Sequence, residues 1–435
     1  MSNSCSTLFD ISTVPKNIMT NSPRQVCIAP GDVRNLSPAT VTPEFVVGIN
    51  YPWVRCGHDF GPSIYGGRAV NWAPHLQRFR ELRAMGIKVI RWWILGNGVN
   101  YPPSARDRDA MFEVRELERV DARGLVIPTL PLFDSVPAWK HLYPRDGVEL
   151  PRLSSSFLHD FEQLCSHCRD ADILLIPSLL SFAWFLPIIP RQLASGRYGR
   201  GRAPLLFHAA GSRPRRLEEF VDKTLVPLLR ASENWRDTIY AWEVLNEPDW
   251  SVDGGPVLTE TEYGGGVPSL GDLVQRITRP DEMCDLLEIS LDLIQDAQFL
   301  ATIGFKEENP SWLRPSFRSR LQRDAGRRTY VHQLHHYPTT IDDWELPDHA
   351  TLPIKPCIVG EFPSGQAATA ANARWDDDGL AEDDENSYLR RRLELIERKR
   401  YPMALIWSAT HNPRDPRSQW TANQQRQVRQ FSGRD

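Results

Sequence analysis

The chain has 435 residues, 41% of them hydrophobic and 24% charged. That is enough to bury a large core and allows one large barrel with long loops. Its 51 basic and 55 acidic residues leave a formal charge of −4, so there is no electrostatic reason to expect nucleic acid as a partner. The 14 Trp, unaccompanied by a basic excess, suit stacking on the apolar faces of sugars better than stacking on bases, and carbohydrate becomes the first expectation.

Residues 1–40 are polar, punctuated by proline and aperiodic, and read as an irregular N-terminal arm. They contain no basic segment followed by an apolar run, so no secretory signal is read and a cytoplasmic location is expected. Short apolar, β-branched runs then recur along the chain. They lie at 45–51, 87–93, 172–180, 238–246, 299–305, 329–337, 356–362 and 402–408. Stretches with helical periodicity alternate with them, at 73–86, 155–170, 217–232, 281–297 and 384–399.

Strands apolar on both faces that alternate with amphipathic helices form a parallel sheet covered by helices. Eight such units predict an α/β (β/α)8 TIM barrel over 41–412, followed by a polar C-terminal tail over 413–435. A doubly wound open sheet is the competing fold, but the first βα turn lacks a G-x-G-x-x-G loop. Long insertions after strands two, three and four (94–154, 181–216 and 248–280) would crowd the C-terminal face, where barrel enzymes keep their reacting groups.

Three features are read as structural. The run 173-ILLIPSLLSFAWFLPIIP-190 is broken by three prolines, which suits a buried strand and loop better than a membrane span, and no membrane partner is expected. Cys165 and Cys168 form one CxxC, but no second pair lies at a useful spacing, so neither a metal site nor a disulfide framework is expected. The acidic run 376-DDDGLAEDDE-385 lacks the ligand spacing of a calcium loop and reads as a solvated loop.

The chemistry is concentrated at strand ends. The run 239-IYAWEVLNEPDW-250 leaves its strand at Asn246 and Glu247, and 356-PCIVGEFPSG-365 ends its own with Glu361. Two carboxylates on opposite sides of one barrel mouth can flank a glycosidic bond, one as proton donor and one as nucleophile. His335 and Tyr337 end strand six, and Trp407 ends strand eight. Strand alternation points only one of His335 and His336 inward, and His335 is chosen.

N-E-P, H-x-Y and G-E-F in this order, with Trp407, resemble clan A glycoside hydrolases, most closely the family 5 cellulase and mannanase type, from about residue 44 to 411. The resemblance implies a retaining β-glycoside hydrolase that needs no cofactor. In it Glu247 would be the acid/base, Glu361 the nucleophile, and Asn246 the amide on the sugar 2-hydroxyl. Tyr337 and His335 would orient the nucleophile and line the cleft, Arg91 would keep the nucleophile ionised, and Trp407 would be a sugar platform. Trp53, His58 and Asp59, after strand one, are further candidates for substrate contact, while Trp92 and Trp93 suit core packing as well as a platform. Glu243 reads as an interior partner of Arg91.

The chain departs from the family at the end of strand three, where Ser181, Phe182 and Trp184 stand in the region that usually carries a histidine. A transglycosylase would use the same two glutamates, and a catalytically silent carbohydrate-binding barrel would keep only the aromatic cleft.

Overall fold

The computed structural model describes residues 45–52, 59–61, 71–95, 153, 155–182, 217, 220–252, 278–337, 346–365, 386–410, 418 and 420–433, together with the backbone of 118–120 and 126–128. The arm over 1–40, Trp53, His58, Trp184, the acidic run, and most of the three long insertions lie outside the described residues.

Eight parallel strands close into a barrel, each paired with its sequence neighbours and the eighth with the first. In order they are Val46–Asn50, Val89–Trp93, Leu174–Ser181, Trp242–Asn246, Ala301–Phe305, His332–His335, Cys357–Pro363 and Met403–Trp407. All eight predicted runs are strands of this sheet. A small antiparallel pair, Glu118–Val120 with Val126–Pro128, lies inside the insertion after strand two. No described helix is long and apolar enough to cross a membrane, and the proline-broken run supplies strand three instead.

The helices cover the barrel because their apolar residues recur on one side. Ser155–Asp170 buries Phe157, Phe161, Leu164, Cys165 and Cys168, which is the i, i+4, i+7 spacing of an inward face. The CxxC pair is thereby accounted for as packing, and burial pushes the thiol pKa of both cysteines up. Proline starts the helices Pro280–Asp296 and Pro315–Gly326, where its missing N–H costs nothing. Within the polar stretch 413–435, residues Ala422–Phe431 form a helix opened by a Thr421–Gln424 capping box. Phe431 at its end meets Phe45, at the foot of strand one, edge to face at 5.8 Å. The helical layer therefore runs on past 412.

Strand parity divides the second strand between two environments. Trp92 points outward, stacked on Tyr51 at 4.7 Å and surrounded by Phe60, Trp72, His75 and Phe79. Asp59 belongs to that outer layer too, since it accepts a hydrogen bond from Trp92 Nε1 at 3.2 Å and is fully buried. The structure thus places Asp59 behind the barrel wall, where it cannot touch a substrate in the mouth. Arg91 and Trp93 point into the barrel.

Candidate active site

The interior of the barrel beneath the mouth is polar and organised around Arg91. Its guanidinium has no solvent exposure and gives five hydrogen bonds. Nε and Nη2 form a fork on Glu243, at 2.5 and 2.6 Å. Nη1 reaches Glu361 Oε1 at 2.5 Å and Asn50 Oδ1 at 2.8 Å, and Nη2 also reaches Asn246 Oδ1 at 2.6 Å. Burial works against the charge of Arg91, but Glu243 and Glu361 beside it outweigh burial and hold its pKa above the ordinary value.

An arginine has donors only, so these contacts fix the orientation of both amides. Asn50 must turn its oxygen to Arg91, and its Nδ2 then donates to the Gly360 carbonyl at 3.0 Å, one residue before Glu361. Asn246 likewise spends its oxygen on Arg91, which leaves its Nδ2 as the donor. Glu243 is saturated: besides the fork it accepts from Ser178 Oγ and Gln333 Nε2, each at 2.6 Å. Burial alone would raise Glu243, but Arg91, Ser178 and the nearby His335 prevail and its pKa is lowered.

Two irregularities aim the mouth residues. The register of strand four against strand five shifts between Glu243 and Asn246, which brings both inside although they are three apart. Glu247 then takes a left-handed backbone, φ 51° and ψ 57°, a conformation that costs a non-glycine residue about 1 kcal/mol. The register of strand seven shifts at Gly360, so that His335 pairs with Glu361. A Cβ on Gly360 would lie 2.4 Å from the Gln333 side chain, which is why glycine stands there.

The two glutamates are gripped by different donors. Glu361, 3% exposed, receives Tyr337 Oη on Oε2 at 2.8 Å in addition to Arg91. Glu247, 8% exposed, receives Trp250 Nε1 on Oε2 at 2.9 Å and faces His335 Nδ1 at 2.9 Å. That ring nitrogen also lies 3.5 Å from Glu361. One oxygen of each glutamate and a His335 nitrogen all lie within 4.8 Å of one another.

The pair titrates together. Burial raises Glu361 first and the charge of Glu247 adds to it, and these exceed the lowering by His335 and Arg91, so its pKa is raised. Burial raises Glu247 as well, but the hydrogen bond and charge of His335, with Lys306 and Trp250, bring its pKa down. Glu247, His335 and Glu361 have the donor types of a metal site. They fit one poorly, since the Arg91 guanidinium already provides the cation against Glu361.

Most of the sequence candidates meet here: Arg91, Asn246, Glu247, His335, Tyr337 and Glu361 are linked by direct hydrogen bonds and short ion-pair contacts. Trp407 ends strand eight and packs edge to face on Trp93 at 5.5 Å, and Arg91 lies 4.2 Å over the Trp93 ring. Trp53 lies outside the described residues. Ser181 is buried and pairs with Asn246 across strands three and four. Asn50, Ser178, Gln333, Trp250 and Lys306 were not read from the sequence. Parity could have found Gln333, two residues before His335 on one strand, and Asn50 ends its strand with an amide just as Asn246 does.

No protein-family model matches the chain, and no curated protein matches it. Solved structures do. A β-1,4-D-mannanase from Cryptopygus antarcticus aligns at 17% identity and TM-score 0.53, covering 89% of this chain and 90% of that one. An endo-1,4-β-mannanase from Eisenia fetida aligns at 16% and 0.53, over 90% and 92%. A β-mannanase from the blue mussel Mytilus edulis aligns at 14% and 0.50, over 89% and 92%. At such identities the likeness shows the fold, and it is the clan A, family 5-like (β/α)8 barrel that the motifs imply.

Proposed function

From a barrel of the β-mannanase type and the glutamate pair at its mouth, we infer that this chain is a retaining β-glycoside hydrolase working by double displacement. One observation carries the reading. Two buried glutamates from the fourth and seventh strands present oxygens within 4.8 Å of each other, a spacing that suits a covalent glycosyl-enzyme and leaves no room for the water of an inverting mechanism. A β-mannoside is the first substrate to test, since the similar structures are named mannanases; the sugar and linkage are decided by assay.

In this reading Glu361 attacks the anomeric carbon while Glu247 gives its proton to the leaving oxygen. Glu247 then takes a proton from water, which releases the sugar with its configuration retained. Asn246 Nδ2 donates to the 2-hydroxyl, a contact that strengthens as positive charge builds on the ring.

The reaction needs the proton on Glu247, whereas the side chains by themselves favour it on Glu361. The substrate has to reverse this. A sugar covering Glu247 removes its remaining water and raises it, and an electron-poor anomeric carbon beside Glu361 favours the anion. His335, whose ring faces both carboxyls, supplies a path for the proton between them.

The test is chemical rescue. Glu361→Ala should form no glycosyl-enzyme from any substrate. Glu247→Ala should still form it from aryl glycosides with activated leaving groups and then stall, and azide should release a β-glycosyl azide. An α-azide from Glu361→Ala with an inert Glu247→Ala would reverse the two roles. Wild-type rates in both variants would end the hydrolase reading.

A further inference from the structure

Lys306 follows the fifth strand directly, between the elements that carry the two glutamates. Its ammonium lies 5.4 Å from the centroid of Trp250 and 5.4 Å from that of Tyr337. Those are the two rings whose polar ends hold Glu247 and Glu361. Its backbone is pinned as well: the Lys306 N–H donates to Asp249 Oδ2 at 2.8 Å, and Asp249, fully buried, also accepts from Trp312 Nε1 at 3.1 Å. The cation is thus held over the mouth from a fixed base, on the side where Glu247 meets a leaving group.

We propose that Lys306 is a substrate-binding, specificity-determining residue that selects β-glycosides whose leaving group carries an acidic substituent. The proposal rests on the hydrolase reading above. Two ring faces hold the cation in place by its charge, and the three N–H donors of an ammonium suit a carboxylate. The position also carries a penalty that an acidic substituent would remove. A cation beside a general acid draws off the proton the acid must deliver, and Lys306 is among the groups that hold Glu247 low. An anion seated on Lys306 cancels that field only when the right substrate is bound, which couples recognition to the proton supply.

The experiment uses the full chain and the sugar it cleaves fastest among mannose, glucose, galactose and xylose. That sugar is presented as 4-carboxyphenyl and 4-(methoxycarbonyl)phenyl β-glycosides, and also as the two thioglycosides, which resist cleavage. kcat/KM is measured on the first pair and the dissociation constant, by calorimetry, on the second. The acid should be preferred over its ester by about fivefold, the worth of a partly screened ion pair. Lys306→Gln should bring that ratio to about one, and Lys306→Arg should retain most of it. Equal ratios in the native chain and in Lys306→Gln, with cleavage intact, would overturn the role of Lys306 and leave the hydrolase standing. Discrimination between the thioglycosides without cleavage of either oxygen glycoside would do the reverse. Binding of neither thioglycoside overturns both.

Discussion

Replacing Arg91 with methionine should remove the one cation that two buried carboxylates share. Glu243 has no exposure and Glu361 only 3%, so neither can turn to water once the guanidinium is gone. Breaking a buried pair from one side costs about 3–5 kcal/mol, and here two acids are orphaned and the oxygens of Asn50 and Asn246 lose their donor. The carboxyls limit the loss by taking up protons, and the expected penalty at pH 7 is about 5 kcal/mol, comparable with the whole stability of many domains. The sign with pH follows from linkage. In the native chain Glu243 is lowered, so its contribution is present above the unfolded carboxyl pKa and lost as pH falls through the folded one. In Arg91→Met both folded carboxyl pKa values rise above the unfolded value, so the variant gains stability relative to the native chain as pH falls. Denaturant unfolding at pH 7, 6 and 5 should show a gap that narrows steadily. A gap under about 1 kcal/mol at pH 7, or one that does not change with pH, would refute the view that Arg91 compensates two buried charges.

Three further outcomes are expected. Tyr337→Phe removes one charge-assisted hydrogen bond from Glu361, which is about 1.5–3 kcal/mol; kcat/KM should fall about tenfold to a hundredfold while the melting temperature barely moves, and an unchanged rate would detach Tyr337 from the nucleophile. Gly360→Ala drives a methyl against Gln333 and should cost about 1–3 kcal/mol in thermal unfolding, with equal stability ruling out the close approach. Asp249 is raised to about 7, by burial first, well above the unfolded aspartate value, so its contribution to stability is complete at acid pH and lost as pH climbs through about 7. Asp249→Asn turns an amide N–H toward one of the two donors; it should cost about 1–3 kcal/mol at pH 5 and less at pH 8, and a penalty that grew with pH would contradict the assignment.

The barrel was legible in the sequence because every strand carries the same signal, an apolar run too short for a helix and bounded by polar residues. The mouth was legible because Glu247 and Glu361 end such runs. What period-2 reading could not reach are the places where the period fails. Glu243 and Asn246 share the interior only because the strand slips between them, and His335 meets Glu361 only because strand seven slips at Gly360. Asp59 misleads for the opposite reason. Its position after strand one suits substrate contact, yet Trp92 Nε1 on the outer face captures it, and no local pattern announces a partner 33 residues away. Lys306 sits between two glutamate-holding rings through three separate loops, a juxtaposition that exists only after the barrel closes.

The left-handed backbone at Glu247 sets the interests of the fold and of the cleft against each other. Glycine is at ease at φ 51°, and it would also relieve a buried carboxyl, so Glu247→Gly should leave a chain more robust than the native one. A population of sequences screened only for yield or heat resistance would therefore drift toward disarming this residue. Any variant of the barrel recovered from such a screen should have position 247 read before its activity is judged.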